Sequence, residues 1–240
     1  MRLHTDVYGA GNRTALVVHG IMSDHRCWHR LIGLLVDRGY RVVTVDLAGH
    51  GRSPRSRRYS PASWAEDVIE SVSGADGGPS VVCPELVVGH SLGGLVTSIV
   101  VESLTPQRVI YIDPAFSAPT GWRKVLVGIL LATLRTPSKE RIARGNPRWS
   151  AEDVEIETET IALWDRRTVF GLARASATVP PTALVAPSLL VLADHSMLVP
   201  EPLAKSMAEL GMQVEVVQGA GHVVFRDDFE GFLAKADAWF

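Results

Sequence analysis

The chain has 240 residues, 46% of them apolar and 21% charged, a balance that suits one large α/β domain with a sizeable core and excludes a disordered or fibrous chain. A net charge of −2 supplies no overall attraction to nucleic acid or to an anionic membrane. Two cysteines far apart in sequence, Cys27 and Cys83, argue against a disulfide framework and for a reducing compartment. The N-terminus lacks the apolar stretch and cleavage site of a secretory signal, so the expected location is cytoplasmic. The longest apolar run, VLVGILLATL at 125–134, falls short of the about 20 residues that cross a bilayer.

In chain order, TALVVHG (14–20) predicts a strand ending in a turn, and CWHRLIGLLVDRG (27–39) a helix with a glycine stop. YRVVTVDL (40–47) is a second buried strand, and SPASWAEDVIESVSG (60–74) a helix opened by Ser-Pro. ELVVGHS (85–91) is a third strand, running directly into the helix LGGLVTSIVVESL (92–104), and RVIYIDP (108–114) is a fourth. From about 118 to 184 the pattern turns helical, through WRKVLVGILLATL, SAEDVEIETETIALWDRR and TVFGLARASA. SLLVLAD (188–194) then resumes as a strand, followed by the helix EPLAKSMAELG, the strand and loop MQVEVVQGAGH, and a terminal helix FEGFLAKADAWF. Strand–helix alternation of this kind predicts an α/β fold: a mostly parallel central sheet covered by helices on both faces. The expected division is a core of residues 1–117 and 185–240, with a helical lid, 118–184, inserted before the last two strands and lying over the strand ends where such sheets bind ligands.

Gly89-His90-Ser91-Leu92-Gly93 satisfies G-x-S-x-G between a predicted strand and a predicted helix. That context gives the motif its meaning. The chain must turn abruptly, leaving the Ser91 hydroxyl exposed above the sheet and free backbone N–H groups at the helix start beneath it. His222, in a glycine-rich loop after the last strand, is the candidate general base. The N–H groups of Ile21, after the first strand, and of Leu92 are candidates for an oxyanion hole. No metal site or organic cofactor is expected, because Cys and His lack ligand spacing and no phosphate loop is present.

The stretches VVHG, VDLAGHGRS, VGHSLGG, VIYIDPA, LLVLAD and GAGH occur in an order that resembles the α/β-hydrolase fold superfamily, in its capped form. The resemblance covers nearly the whole chain and implies a nucleophile, acid and base in that order. It also exposes a departure. In similar proteins the acid follows the small residue that ends the strand at 189–193 by three positions, which here, counting from Ala193, is Ser196. The carboxylate is then either Asp113, in YIDPA after the strand next to the nucleophile's, or Asp194, two residues short of the usual position. The serine at 196 shifts the weight to Asp113. Asp46 and His50 in DLAGHGRS read as structural, Asp227 and Asp228 as helix caps, and the four arginines at 52–58 as a solvated loop.

These residues imply a serine hydrolase that cleaves a carboxylic ester or lactone through an acyl-enzyme. Trp122, Trp149, Trp164 and Phe170 in the inserted segment suggest an apolar pocket for a hydrophobic small molecule. A carbon–carbon bond hydrolase or thioesterase on the same residues, and a slow or non-catalytic ligand-binding protein, are the alternatives. Nucleic acid and membrane are not expected partners, and the oligomeric state is left open.

Overall fold

The computed structural model of the chain describes residues 1–74, 78–117, 136–174 and 180–240. Seven strands form one sheet: β1 Thr5–Tyr8, β2 Arg13–Val18, β3 Tyr40–Val45, β4 Leu86–His90, β5 Arg108–Ile112, β6 Ser188–Ala193 and β7 Gln213–Val217. Their order is β1-β3-β2-β4-β5-β6-β7, with β1 antiparallel to β3 and the other neighbours parallel. The central strands are continuous apolar runs, as strands buried on both faces must be. β1 was not expected, because TDVY is short and polar; it is an edge strand held by its pairing with β3.

Alternation along the strands sorts the side chains into two cores. Ala15, Val17, Val88 and Ile110 face α1 (His29–Asp37) and the C-terminal helix (Phe229–Ala236), whose Leu31, Leu35, Phe229 and Phe232 cover them. Trp28 stacks on Phe225, with ring centroids 4.5 Å apart, and closes this layer. Leu16, Val18, Val43 and Val87 face the other way, against Trp64 and Val68 of α2 (Pro61–Val72) and Val96 and Val100 of α3 (Leu92–Leu104). α2 begins where Ser60 and Ser63 form a capping box with Pro61 in the first turn, which satisfies amide donors that the helix cannot.

Between β5 and β6 the described chain is helical: α4 Lys139–Gly145, α5 Ala151–Leu163 and α6 Thr168–Arg174. α4 was not anticipated; the helix expected over 122–134 lies outside the described residues. α5 starts at a second capping box, Ser150 with Asp153. Ile142, Val154 and Ile161 form a small apolar cluster of their own, joined by Met22 and Trp149. After β6 come α7 (Glu201–Glu209), β7, a helical turn over Val224–Asp227, and the C-terminal helix, α9 if that turn is α8. No helix of the described residues is long and apolar enough to cross a membrane.

α3 packs on β2 with almost no gap. A Cβ added at Gly93 would lie 2.2 Å from the Val18 carbonyl oxygen and 2.4 Å from that of His19, both backbone atoms that cannot step aside. Gly93→Ala should therefore destabilise the protein at or above the top of the ~1–3 kcal/mol range of overpacking, read as a lowered midpoint in urea unfolding.

Candidate active site

β4 ends at His90, and Ser91 turns the chain into α3 with φ 53° and ψ −117°. That left-handed conformation is costly for a residue with a side chain, on the order of 1–3 kcal/mol, and persists only where the surroundings over-determine it. Here they do. Ser91 N–H donates to the Ile112 carbonyl (3.0 Å), and the Ser91 carbonyl accepts from Leu95 N–H (3.2 Å) and Ala115 N–H (2.9 Å). β5 ends in a second such residue, Asp113, with φ 37°, whose N–H donates to the Val191 carbonyl at 2.8 Å. His90 pairs with Ile112 across the sheet, so Ser91 and Asp113 leave adjacent strands at the same level.

His222 joins them. Its Nδ1 lies 2.6 Å from Asp113 Oδ2 and its Nε2 2.9 Å from Ser91 Oγ. A carboxylate can only accept, so Nδ1 carries the proton and Nε2 presents its lone pair to the Ser91 hydroxyl. Asp113 is buried, while the His222 side chain is 43% exposed, leaving part of its ring open to solvent. Ala193 N–H lies 3.4 Å from Asp113 Oδ1, a weaker contact that orients the carboxylate from the neighbouring strand.

Asp194 is not brought to this site. Its N–H donates to the Ala220 carbonyl, and its carboxylate lies 3.9 Å from His195 Nε2; among the described residues it makes no hydrogen bond to His222. The reason is register: Ile112 pairs with Val191, so Asp194 lies two strands from the serine and beyond the end of β6. Ser196 has a local task, its hydroxyl accepting from Val199 N–H at 2.9 Å.

Three residues that the sequence did not single out for this site hold it in place. His90 is buried, and its Nε2 donates to the His222 carbonyl at 3.0 Å. Burial, with His222 nearby, pushes its basicity well below the usual histidine range, so it acts as a neutral spacer. His19 is also buried; its Nε2 accepts from Leu47 N–H (2.9 Å), which makes Nδ1 the donor to the Gly20 carbonyl (2.7 Å). It thereby fixes the loop carrying Ile21. Gly20 itself must be glycine, since a Cβ there would lie 2.9 Å from His90 Nδ1 and 3.1 Å from Ser91 Cβ. Ile21 is thus next to a backbone that presses on the turn at Ser91, and Leu92 is the first residue of α3, where helical N–H groups lack internal partners.

The third is Arg226, four residues after His222 and nearly fully buried. Its Nη1 donates to Glu157 Oε2 at 2.7 Å, its Nε lies 3.2 Å from Asp153 Oδ1, and its guanidinium sits 4.7 Å over the Trp149 ring. Trp149 in turn donates through Nε1 to Asp227 Oδ1 (2.8 Å), and Asp227 Oδ2 accepts from Gly221 N–H (2.8 Å). Asp228 caps the C-terminal helix at Gly231 N–H, as a cap should, whereas Asp227 ties the His222 loop to the inserted helices. A charge inside the apolar run VVFRD was the one sequence sign of this clamp. Trp149 is therefore occupied with the clamp, and Trp164 is buried and bonded to Thr168 Oγ1; Trp122 lies outside the described residues and Phe170 is exposed. The apolar pocket expected from these four side chains is not what Trp149 and Trp164 form.

Beside His222 opens a cleft of about 310 Å³, bounded by Asn146, Pro147 and Arg148 on one side and Gly219, Gly221 and Val223 on the other. Asp46, read as structural, accepts from His25 and Arg52 N–H groups and anchors the 46–53 loop, and the arginines at 52, 55, 57 and 58 are exposed.

A family model described as "Alpha/beta hydrolase family" matches residues 15–235. The chain is 29% identical over 171 residues to lipase LipV of Mycobacterium tuberculosis, which covers 67% of this chain and 63% of that one. It is 31% identical over 135 residues to a pimeloyl-[acyl-carrier protein] methyl ester esterase of Pectobacterium carotovorum, covering 53% of this chain and 48% of that one. The matches thus span less than two thirds of these curated relatives. The crystal structure of the enol-lactonase from Burkholderia xenovorans has the same fold, with a TM-score of 0.78 at 18% identity over 99% of this chain and 95% of that one.

Removing Arg226 would leave the buried Glu157 carboxylate without its cation, and Asp153 with only His29 and Ser150 as side-chain partners. Arg226→Met should cost about 3–5 kcal/mol in urea unfolding. Burial already holds the Glu157 carboxyl above its usual range, so the folded state takes up a proton there more readily than the unfolded chain. The variant's deficit should therefore shrink as pH falls through that raised range, and Arg226→Met combined with Glu157→Gln should recover part of the loss at neutral pH.

Proposed function

The chain belongs to the alpha/beta hydrolase family, and from that premise we propose that it is a serine-dependent hydrolase of a carboxylic ester or lactone. The observation that carries this reading is the double contact of His222, 2.9 Å from Ser91 Oγ and 2.6 Å from Asp113 Oδ2. The names borne by its relatives and structural neighbours, a lipase, a methyl ester esterase and an enol-lactonase, support an ester or lactone carbonyl as the target.

In this reading Ser91 Oγ attacks the carbonyl carbon while His222 Nε2 takes its proton. The N–H groups of Ile21 and Leu92 stabilise the tetrahedral oxyanion. His222 then passes the proton to the leaving alkoxide as the carbon–oxygen bond breaks, leaving an acyl group on Ser91. Water repeats the sequence: His222 accepts its proton, hydroxide adds to the acyl carbon, and the proton returns to Ser91 as the acid departs. Asp113 stabilises the imidazolium in both halves. Asp194 takes no part. No step requires a metal or an organic cofactor.

Residues 118–184 are assigned as the lid over this site, with 1–117 and 185–240 as the core. The contacts of α5 with Arg226, and the cleft between residues 145–148 and the His222 loop, support that division. A cleft of this volume suits a small molecule, and its lining beside His222 is mixed, with Asn146, Arg148 and Asp227 next to Pro147 and Val223.

A serine-directed fluorophosphonate should label Ser91 in folded protein and leave Ser91→Ala unlabelled. Against an activated aryl ester, Ser91→Ala should lose on the order of 10⁶ in turnover. Asp113→Asn should lose about 10⁴, and Asp194→Asn less than about threefold, within the range of a surface change. Equal losses in the two aspartate variants, or an unlabelled wild-type serine, would remove the basis of the assignment.

A further inference from the structure

Outside this site, three side chains of ligand type meet at the β1 edge of the sheet. His4 precedes β1 and Asp6 lies within it, two residues on and so on the same face. His25 opens the 3₁₀ turn that follows the Ile21 loop. Asp6 Oδ2 lies 3.0 Å from His4 Nε2 and 3.2 Å from His25 Nε2, and the three ligand atoms are all within 4.8 Å of one another. The two rings are inclined at 54°, with centroids 5.5 Å apart, so their nitrogens approach the shared oxygen from different directions.

The far side of His25 is built as well. Its Nδ1 lies 2.8 Å from Oδ1 of the fully buried Asp46, an oxygen that also accepts from the His25 N–H; Asp46 Oδ2 accepts from Arg52 N–H. A carboxylate on Nδ1 holds a proton there, so Nε2, which faces Asp6 at 3.2 Å, is the nitrogen that can give up its proton and turn its lone pair to a metal ion. This is the outer-shell arrangement that orients a metal-binding histidine and raises its basicity as a ligand. In a tetrahedral zinc site with bonds of about 2.0–2.2 Å, ligand atoms are about 3.3–3.5 Å apart. The two measured separations fall a few tenths of an ångström short of that, a gap that side-chain rotation closes.

We propose that His4, Asp6 and His25 form a binding site for a divalent transition-metal ion of the zinc class, with two imidazole nitrogens, one carboxylate oxygen and solvent in the fourth position. Two nitrogen donors select against magnesium and calcium, which take oxygen. Side-chain exposures of 26% for His4 and 33% for Asp6 leave an entry path, while His25, at 6%, forms the floor. Metal binding requires the two ring nitrogens and the carboxylate in their deprotonated forms. The ion would join β1, the loop after β2 and, through Asp46, the 46–53 loop. It would act as a clamp and take no part in hydrolysis. Sequence spacing hides the site because all of β2 separates His25 from the other two ligands.

Protein freed of metal with EDTA should be titrated with Zn²⁺ by calorimetry and with Co²⁺ by visible absorption, together with thermal unfolding. The expected result is saturable binding of one equivalent, ligand-field bands of a four-coordinate Co²⁺ ion, and a Tm that rises with free metal. His4→Ala and Asp6→Asn, both at part-exposed positions, should each weaken binding by about 100-fold or more, at least the loss that follows removal of an outer-shell partner. His222→Ala should bind as the wild type does. Absence of stoichiometric binding, unchanged affinity in both ligand variants, or loss of binding in His222→Ala would each overturn the assignment; the last would put the ion at the serine site.

Discussion

The constraint on which the rest depends is the pairing of two strained strand ends. Ser91 and Asp113 both hold positive φ on neighbouring strands, and each is locked by the sheet that carries it. The Ser91 N–H reaches the last carbonyl of β5, and the Asp113 N–H reaches β6, so the ladder continues through residues that have already left strand geometry. Ala115 N–H returns to the Ser91 carbonyl and closes the turn. The strain at either residue, on the order of 1–3 kcal/mol, is offset by these bonds and by the packed core beneath them. A change in the β4–β5 register would move the serine and the aspartate apart, and His222 could no longer touch both.

His222 stands on the opposite kind of support. It is half-exposed in a loop, and its position comes from outside that loop. His90 holds its carbonyl from within the core, while Asp227, Trp149 and Arg226 hold the following turn to α5. Hydrogen bonds to charged groups in buried surroundings contribute more than neutral ones, about 1.5–3 kcal/mol each, but only while every partner is present. The inserted helices are thus mechanically continuous with the His222 loop. Any movement of α5 that breaks the Arg226 contacts bears on His222 first, because Gly221 N–H and Trp149 share one aspartate.

Legibility followed the range of the interactions. The parallel sheet, Ser91 and His222 could be read from local pattern: buried strands are continuous apolar runs, and a strand–Gly-x-Ser-x-Gly–helix junction has one good physical explanation. β1 and α4 could not, since TDVY and KERIARG carry no strong period and owe their form to β3 and to α5. The choice between Asp113 and Asp194 lay in between. The spacing around Ser196 favoured Asp113, but what separates the two is the pairing of His90 with Ile112 and of Ile112 with Val191, partners far apart in the chain. The tryptophans misled for a related reason. Composition marks them as apolar surface, and their indole N–H groups, which find Asp227 and Thr168, decide where they go.

The same logic explains why a serine is tolerated at position 196. With Asp113 Oδ2 already on His222 Nδ1, one strand from Ser91, the loop after β6 has no charge to deliver to that ring. A second buried carboxylate near His222 would add desolvation and like-charge repulsion with Asp113, a cost of several kcal/mol without a second cation to meet it. Ser196 instead satisfies Val199 N–H, and the Ser117 hydroxyl and N–H both donate to the Leu198 carbonyl, so the β6 loop braces the segment that follows Asp113. The position that reads as a missing acid in the sequence is, in the fold, part of the support for the segment that follows Asp113 on the neighbouring strand.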